Sequence, residues 1–99
     1  TAQHDMRMRA VVEARVDADR LLMATESALK VDGDVLSADE RTEIDALMQA
    51  LRELHKTSDD AAALEAGTQA LAKGTESFAA QRMNRGIREA LAGKNIETL

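Results

Sequence analysis

The sequence contains no cysteine, no proline, no tryptophan and no tyrosine, and its single aromatic residue is Phe78. Without cysteine, disulfides and thiolate metal sites are excluded, and this composition is compatible with a reducing cytoplasm. No apolar run approaches the roughly twenty residues of a membrane span, and no signal peptide is visible. We therefore expect a soluble chain with no membrane partner.

Alanine is abundant instead, with nineteen residues among ninety-nine, and with the lack of proline this favours an all-α fold over a sheet. Only twenty-five residues are large and apolar (Val, Leu, Ile, Met or Phe). Because so few bulky side chains are available, the core must be thin and the stability modest. Close helix contacts at alanine residues therefore have to take the place of bulky side chains. The length of the chain allows one domain at most.

One stretch, residues 31–41, contains both the end of one helix and the start of the next. Gly33 follows an apolar-periodic segment, and we expect it to end that helix in the left-handed conformation. Ser37 and Glu40 have the spacing of a capping box, in which each side chain accepts a hydrogen bond from the other residue's amide. The stretch therefore predicts a helix hairpin.

Hydrophobic periodicity predicts helices at about residues 5–32, 38–55 and 60–92, the third with an N-cap at Ser58 or Asp59. At about 1.5 Å rise per residue, the second helix reaches back along the first only to about Arg15. Short loops make neighbouring helices antiparallel. We predict an antiparallel three-helix bundle over about residues 15–80, with a long N-terminal helix overhang and an extended or bent C-terminal helix. Residues 94–99 are expected to fray.

The first helix carries an apolar stripe along its whole length. Its members are Met8, Val11, Arg15, Ala18, Leu22, Thr25 and Leu29, widened by Val12, Leu21 and Met23. In the overhang, Met6, Met8, Val11 and Val12 alternate with charged residues. Because methionine adapts to changing contacts, two interpretations stay open. These side chains fill gaps in a core, or they form a face for a partner or for self-association as a homodimer.

Two glycines, Gly67 and Gly74, occupy the same heptad position in the third helix, which also carries Leu64, Leu71 and Phe78. An interior glycine costs about 1 kcal/mol relative to alanine, so we interpret both as sites where a neighbouring helix approaches closely. A kink is the alternative. Beyond Phe78 the stripe shifts phase, to Met83, Ile87 and Leu91, which predicts a bend or a separate short helix there.

The charge is unevenly distributed along the chain. Residues 1–81 carry nine Lys or Arg and sixteen Asp or Glu, a net −7, whereas residues 82–99 carry four and two, a net +2. An acidic body argues against nucleic acid as a partner. Arg82, Arg85 and Arg88 share one face near a helix C-terminus, where cations interact favourably with the helix dipole. A docking patch for an acidic partner is the alternative.

Residue patterns for catalysis are missing. The sequence has no glycine-rich phosphate loop and no HExxH motif, and His4 and His55 lie in different predicted helices. The acidic residues fall on caps or on solvated helix faces. We therefore predict no catalytic, cofactor-binding or metal-binding residue in this chain.

The hinge, Gly33-Asp-Val-Leu-Ser-Ala-Asp-Glu-Arg-Thr-Glu-Ile44, resembles the helical lid of DnaK-type heat-shock chaperones, as do the short second helix and long third helix that follow it. The segments Phe78-Ala-Ala-Gln-Arg-Met83 and Ile87-Arg-Glu-Ala-Leu-Ala-Gly93 are similar to the C-terminal end of the HscA branch of that family, which is dedicated to iron–sulfur cluster assembly. Glu13-Ala-Arg-Val-Asp-Ala-Asp-Arg-Leu-Leu22 fits the same branch. The resemblance covers almost the whole chain.

The resemblance implies that residues 1–99 are a single lid subdomain, which closes over a client held in a neighbouring β-sandwich. The sequence opens at Thr1 without an initiator methionine, and we expect it to be a fragment of a chaperone whose sandwich and ATPase domain precede it. The implied client resembles the IscU scaffold, and the implied J-domain partner is HscB-like. ATP would bind the parent protein, in the cytoplasm, and this fragment would be no enzyme and hold no cofactor.

In lids of this family, charged latch residues on the first helix pair with the sandwich. Asp19 falls where the family pattern has a latch carboxylate, Arg20 is beside it, and Met23 stands where the pattern has a histidine. The resemblance therefore makes Asp19 and Arg20 the candidate latch. A different class of function stays open beside the lid, namely a stand-alone helical adaptor or oligomerisation bundle.

Overall fold

The computed structural model describes the backbone of residues 1–98 and the side chains of residues 1–93, and the predicted fraying of residues 94–99 lies outside these described side chains. Within this part of the chain there are four α-helices and no strand. They are α1 (Ala2–Asp32), α2 (Ala38–Thr57), α3 (Ala61–Gly74) and α4 (Glu76–Thr98). The all-α class is confirmed. The helix α1 begins earlier than predicted because the Thr1 hydroxyl accepts a hydrogen bond from the His4 amide and caps it.

The reversal between α1 and α2 is one turn of 3₁₀ helix, Gly33–Val35, followed by an extended Leu36. The predicted left-handed Gly33 is wrong, since its φ and ψ of −56° and −23° are right-handed. A Cβ at Gly33 would lie 3.1 Å from the Arg41 guanidinium, which would have to shift by a few tenths of an ångström. The capping box is confirmed, with Ser37 and Glu40 hydrogen-bonded reciprocally at 2.9 and 3.1 Å.

The turn between α2 and α3 spans residues 58–60, and its cap differs from the prediction. Asp60 caps α3 by accepting a hydrogen bond from the Ala62 amide at 3.0 Å, in place of the predicted Ser58 or Asp59. The Ser58 hydroxyl instead accepts from the Asp60 amide. Ser58 thereby helps to shape the turn, one step before the helix begins.

The helix α3 packs against both α1 and α2, antiparallel to α2. At Gly67 a Cβ would lie 2.7 Å from Leu54 Cδ1, and at Gly74 it would overlap the side chain of Leu47. The predicted close helix crossings at the two glycines are therefore confirmed. Because Leu47 and Leu54 fill the space above these glycines, α2 and α3 approach more closely than two full side chains would allow.

The predicted continuous third helix of residues 60–92 is divided at Thr75, which lies before the expected bend beyond Phe78. The Thr75 hydroxyl bonds back to the Leu71 carbonyl at 2.9 Å, and its backbone leaves the α conformation, at φ −104° and ψ 3°. Back-bonding of this kind bends helices, and the preceding Gly74 has the backbone freedom to follow. Phe78, in the first turn of α4, still reaches the core at 3% exposure.

The core is a thin layer along the three packed helices, as the composition predicted. Three alanines of α1, Ala14, Ala18 and Ala28, are buried and let the helices approach closely. The bulk comes from residues on all four helices, namely Leu22, Leu29, Ile44, Met48, Leu51, Leu64, Leu71 and Phe78. The molecule is elongated, with extents of 69 × 28 × 17 Å, because α1 and α4 extend beyond opposite ends of this core.

Candidate functional site

The overhang of α1 begins at Arg15. The Arg15 guanidinium donates a hydrogen bond of 2.8 Å to the carbonyl of Ser58, which is the first residue after α2. Ala14, at 2% exposure, is the first buried residue of α1. The sequence-based estimate of where α2 stops supporting α1 is therefore confirmed, and most of the surface of residues 2–13 faces solvent.

The four residues of the predicted self-association face differ in their exposure to solvent. Met6, Met8 and Val12 are 68%, 56% and 56% exposed, whereas Val11 is half-buried and lines a groove with Asp59 of the α2–α3 turn. At about 100° per residue, Val11 lies about 60° from Met8 on the core side, whereas Met6 lies about 160° from Met8. Met8 and Val12 are thus neighbours on one surface, with Val11 beside it, and Met6 lies on a different face of α1.

That surface continues beyond the overhang. Met8, Val12, Val16 and Met23 fall within a sector of α1 about 80° wide, and their exposed fractions lie between 43% and 62%. We call these four residues the outer stripe. Sequence reasoning placed Val12 and Met23 on one wide apolar stripe with the core residues, and left open whether Val12 faces the core or a partner, because the buried and exposed stripes of α1 adjoin. Val16 was missed for the same reason.

The candidate latch residues lie on this surface. Asp19 falls inside the sector of the outer stripe, Arg20 lies about 40° outside it, and both are exposed. Among the ion pairs within residues 1–93, none involves Asp19 or Arg20. Nothing within the described residues competes with an outside partner for these two charges. Their latch role stays a prediction.

A second cluster joins α4 to the hinge, and the sequence did not reveal it. Arg82 Nε lies 2.8 Å from Asp32 Oδ2, and the Arg85 guanidinium contacts Asp32 at 3.2 Å and Asp34 at 2.7 and 2.6 Å. We call these four residues the hinge clasp. Hydrogen bonds from Arg82 hold the pKa of Asp32 below its ordinary value, and hydrogen bonds from Arg85 do the same to the pKa of Asp34.

Further contacts in the same region reinforce the hinge clasp. The Gln81 amide donates to Glu40 of the capping box at 3.1 Å, and the Arg82 guanidinium lies 5.7 Å from the centre of the Phe78 ring. The Ser37 amide, by its hydrogen bond, lowers the pKa of Glu40. The dipole interpretation of Arg82 and Arg85 is wrong, because α4 continues for several turns beyond both residues. They are bound within the chain.

A groove of about 380 Å³ on the described part of the chain lies between α1 and α2 and is lined mainly by charged side chains. There Arg52 pairs with Glu26 and Arg41 with Asp45. Within the described residues, no group of three or more His, Asp or Glu side chains is placed to hold a metal ion. In the part of the chain that the structure describes, no helix combines the length and apolarity needed to cross a bilayer.

Comparison with known proteins gives relatives along the full length of the chain. No protein-family model matches it. It is 75% identical over 99 residues to a chaperone protein HscA homologue of an Acidovorax species, and 70% identical over 99 residues to that of Delftia acidovorans. The homologue of Cupriavidus taiwanensis is 51% identical over 98 residues.

These matches cover 99–100% of this chain but 16% of each relative. The chain is therefore similar, from end to end, to one region of a chaperone. That region is the C-terminal part of HscA homologues. The resemblance drawn from the hinge and the tail motifs is confirmed, and the chaperone class is favoured over the stand-alone adaptor.

Proposed function

We propose that this chain is the helical lid of an HscA-type chaperone, which closes over a client bound in an adjacent β-sandwich. The observation that carries the proposal is the outer stripe on α1. It is an exposed apolar surface that also carries Asp19, with Arg20 beside it, on the side of α1 that α2 and α3 leave uncovered, and neither charge is paired within residues 1–93. Exposed apolar surfaces rimmed by charge are typical of interaction sites. End-to-end similarity to HscA homologues supports the same conclusion.

In this proposal each part of the molecule has a mechanical role. The outer stripe packs on the sandwich, and Asp19 and Arg20 pair with charges at its rim. The helices α2 and α3 brace α1 over residues 14–29, so that α1 moves as a rigid body. Rigid support matters because α1 can then close over the client without bending.

The chemistry of the cycle lies outside this segment. ATP binds the ATPase domain of the parent and opens the lid, and hydrolysis lets it close. The client resembles the IscU scaffold, and an HscB-like J-domain partner stimulates hydrolysis in the iron–sulfur cluster assembly cycle. The lid prolongs the lifetime of the closed complex and supplies no catalytic group.

The experiment uses the full-length chaperone that contains this segment, with a labelled peptide from the IscU-like client. Val12→Glu plus Val16→Glu places two charges on the outer stripe, and we expect peptide release in the ADP state to become faster by about tenfold or more. Met83→Glu, at a residue of α4 that is 68% exposed, is the matched control. Unchanged release from the double variant would remove the stripe from the closing surface and favour the adaptor interpretation.

A further inference from the structure

The outer stripe of α1 has a charge pattern that is complementary to itself. Arg9 lies at one edge of the stripe and Asp19 within it, ten residues further on. Both are exposed, and neither belongs to an ion pair within residues 1–93. The two residues lie five positions on either side of residue 14, which is also midway between Val12 and Val16, and their charges are opposite. A second copy of the helix running the other way therefore presents Asp19 to Arg9.

We propose that the outer stripe binds a second copy of this chain, as an antiparallel pair of α1 helices about a two-fold axis near residue 14. In this register Val12 faces Val16 of the second copy, and Arg9 faces its Asp19. Each contact occurs twice, because a two-fold interface repeats every pair. Met8 of one copy and Met23 of the other are offset along the helix axis by three residues, about 4.5 Å, and a methionine side chain spans that distance.

Charge repulsion disfavours two alternative arrangements of the helix pair. A parallel pair would place Arg9 against Arg9 and Asp19 against Asp19, which repel. An antiparallel pair centred on Val12 would place Asp5 against Asp19, which also repel. In the register with its axis near residue 14, Arg9 meets Asp19 and Val12 meets Val16, while Asp5 faces Met23 of the second copy, so that no like charges oppose each other.

The size of the surface indicates how tight the pair is. The interface would consist of four exposed side chains per copy and the stems of Arg9 and Arg20. Its total buried area therefore lies at the low end of interface sizes, below about 1,200 Å². We therefore expect a weak dimer that forms at high micromolar concentration. The sandwich of the lid proposal would cover the same surface, so the two contacts exclude each other. The dimer itself does not depend on the lid function.

The experiment is sedimentation equilibrium of the isolated chain. The parent is expected to dimerise, and Met8→Glu plus Val12→Glu to be monomeric. Arg9→Asp gives two Asp–Asp contacts in the homodimer and Asp19→Arg gives two Arg–Arg contacts, so each is expected to weaken dimerisation roughly tenfold. Mixed in equal amounts, these two variants regain both opposite-charge pairs and should form a heterodimer at least as tight as the parent dimer.

Matched controls use charges on α1 that lie off the stripe. Arg7→Asp and Asp17→Arg change the net charge identically at exposed positions outside the sector, and should leave dimerisation within about twofold of the parent. Circular dichroism checks that every variant keeps the helical content of the parent. A parent that stays monomeric at high micromolar concentration, or a mixture that does not form the heterodimer, overturns the proposal. Neither result bears on peptide release by the full-length chaperone.

Discussion

Arg85 and Asp34, fifty-one positions apart, form a bidentate ion pair, with Nη1–Oδ1 at 2.7 Å and Nη2–Oδ2 at 2.6 Å. The planar guanidinium of arginine fits a carboxylate in this two-point geometry, which fixes orientation as well as distance. The pair connects α4 to the turn that follows α1. The direction of α4 is therefore set by polar contacts at the hinge, since Phe78 is its single fully buried side chain within residues 76–93.

A first prediction follows for this pair. Arg85→Lys keeps the charge but loses the two-point geometry, and we expect it to let α4 move relative to the hinge while leaving the bundle folded. Amide hydrogen exchange over residues 76–93 should become faster, and exchange of the buried α2 amides should not change. Arg88→Lys, on the exposed face of the same helix, is the control. Equal effects at the two positions would contradict a specific role for Arg85.

The second prediction concerns acid. The folded pKa values of Asp32 and Asp34 lie below their ordinary value of 3.8, so the folded state holds fewer protons than the unfolded state just below that pH. Their contribution to stability is therefore complete above about pH 3.8 and is lost as the pH falls through the lowered folded values.

We accordingly expect α4 to detach in acid below pH 3.8, as followed by the NMR chemical shifts of residues near Phe78. Asp32→Asn plus Asp34→Asn should remove this acid step, because neither amide titrates. An acid step of unchanged size in the double variant would assign the transition to other carboxyl groups.

The third prediction tests the helix crossings. Gly67→Leu and Gly74→Leu place side chains where Leu54 and Leu47 already lie, and overpacking should cost about 1–3 kcal/mol despite the better helix propensity of leucine. Gly86 has nothing within 4 Å of the position of a Cβ, so Gly86→Leu should be neutral or stabilising. Thermal melts of the three variants decide the matter, and stabilisation by all three would contradict the packing described here.

A fourth prediction concerns what the isolated chain does not do. We expect it neither to hydrolyse ATP nor to bind IscU-like client peptide, because the lid proposal places both functions in other domains. Isothermal titration should give no binding at micromolar Kd, which corresponds to about 8 kcal/mol. Measurable binding in that range would reveal a peptide site on the helices themselves.

The features that the sequence predicted well are local or periodic. The capping box of Ser37 and Glu40 depends on residues three apart, and it holds as predicted. The reach of α2 to Arg15 follows from helix length and a short turn, so rise per residue was enough to locate it. The glycine crossings were also recognisable, because a repeated glycine in a heptad has few other physical explanations.

The features that were missed have three different physical causes. Asp32 and Arg82 are fifty positions apart, and a sequence with thirty-one charged residues among ninety-nine offers many equally plausible partners. The break at Thr75 depends on whether its hydroxyl bonds back to Leu71, which is a choice between nearly equal local states. The outer stripe was merged with the core stripe, because periodicity shows which residues share a face and not which face is covered.

The helix α1 is continuous in its backbone hydrogen bonds, yet only its later part is packed. Amides before Ala14 can exchange with solvent by fraying of the overhang, whereas those between Ala18 and Leu29 need the bundle to open. A single helix should thus show a step in exchange protection close to Arg15. Whatever covers the overhang, a sandwich or a second copy, must move that step toward residue 2. The protection profile of α1 is therefore a direct gauge of whether its outer surface is occupied.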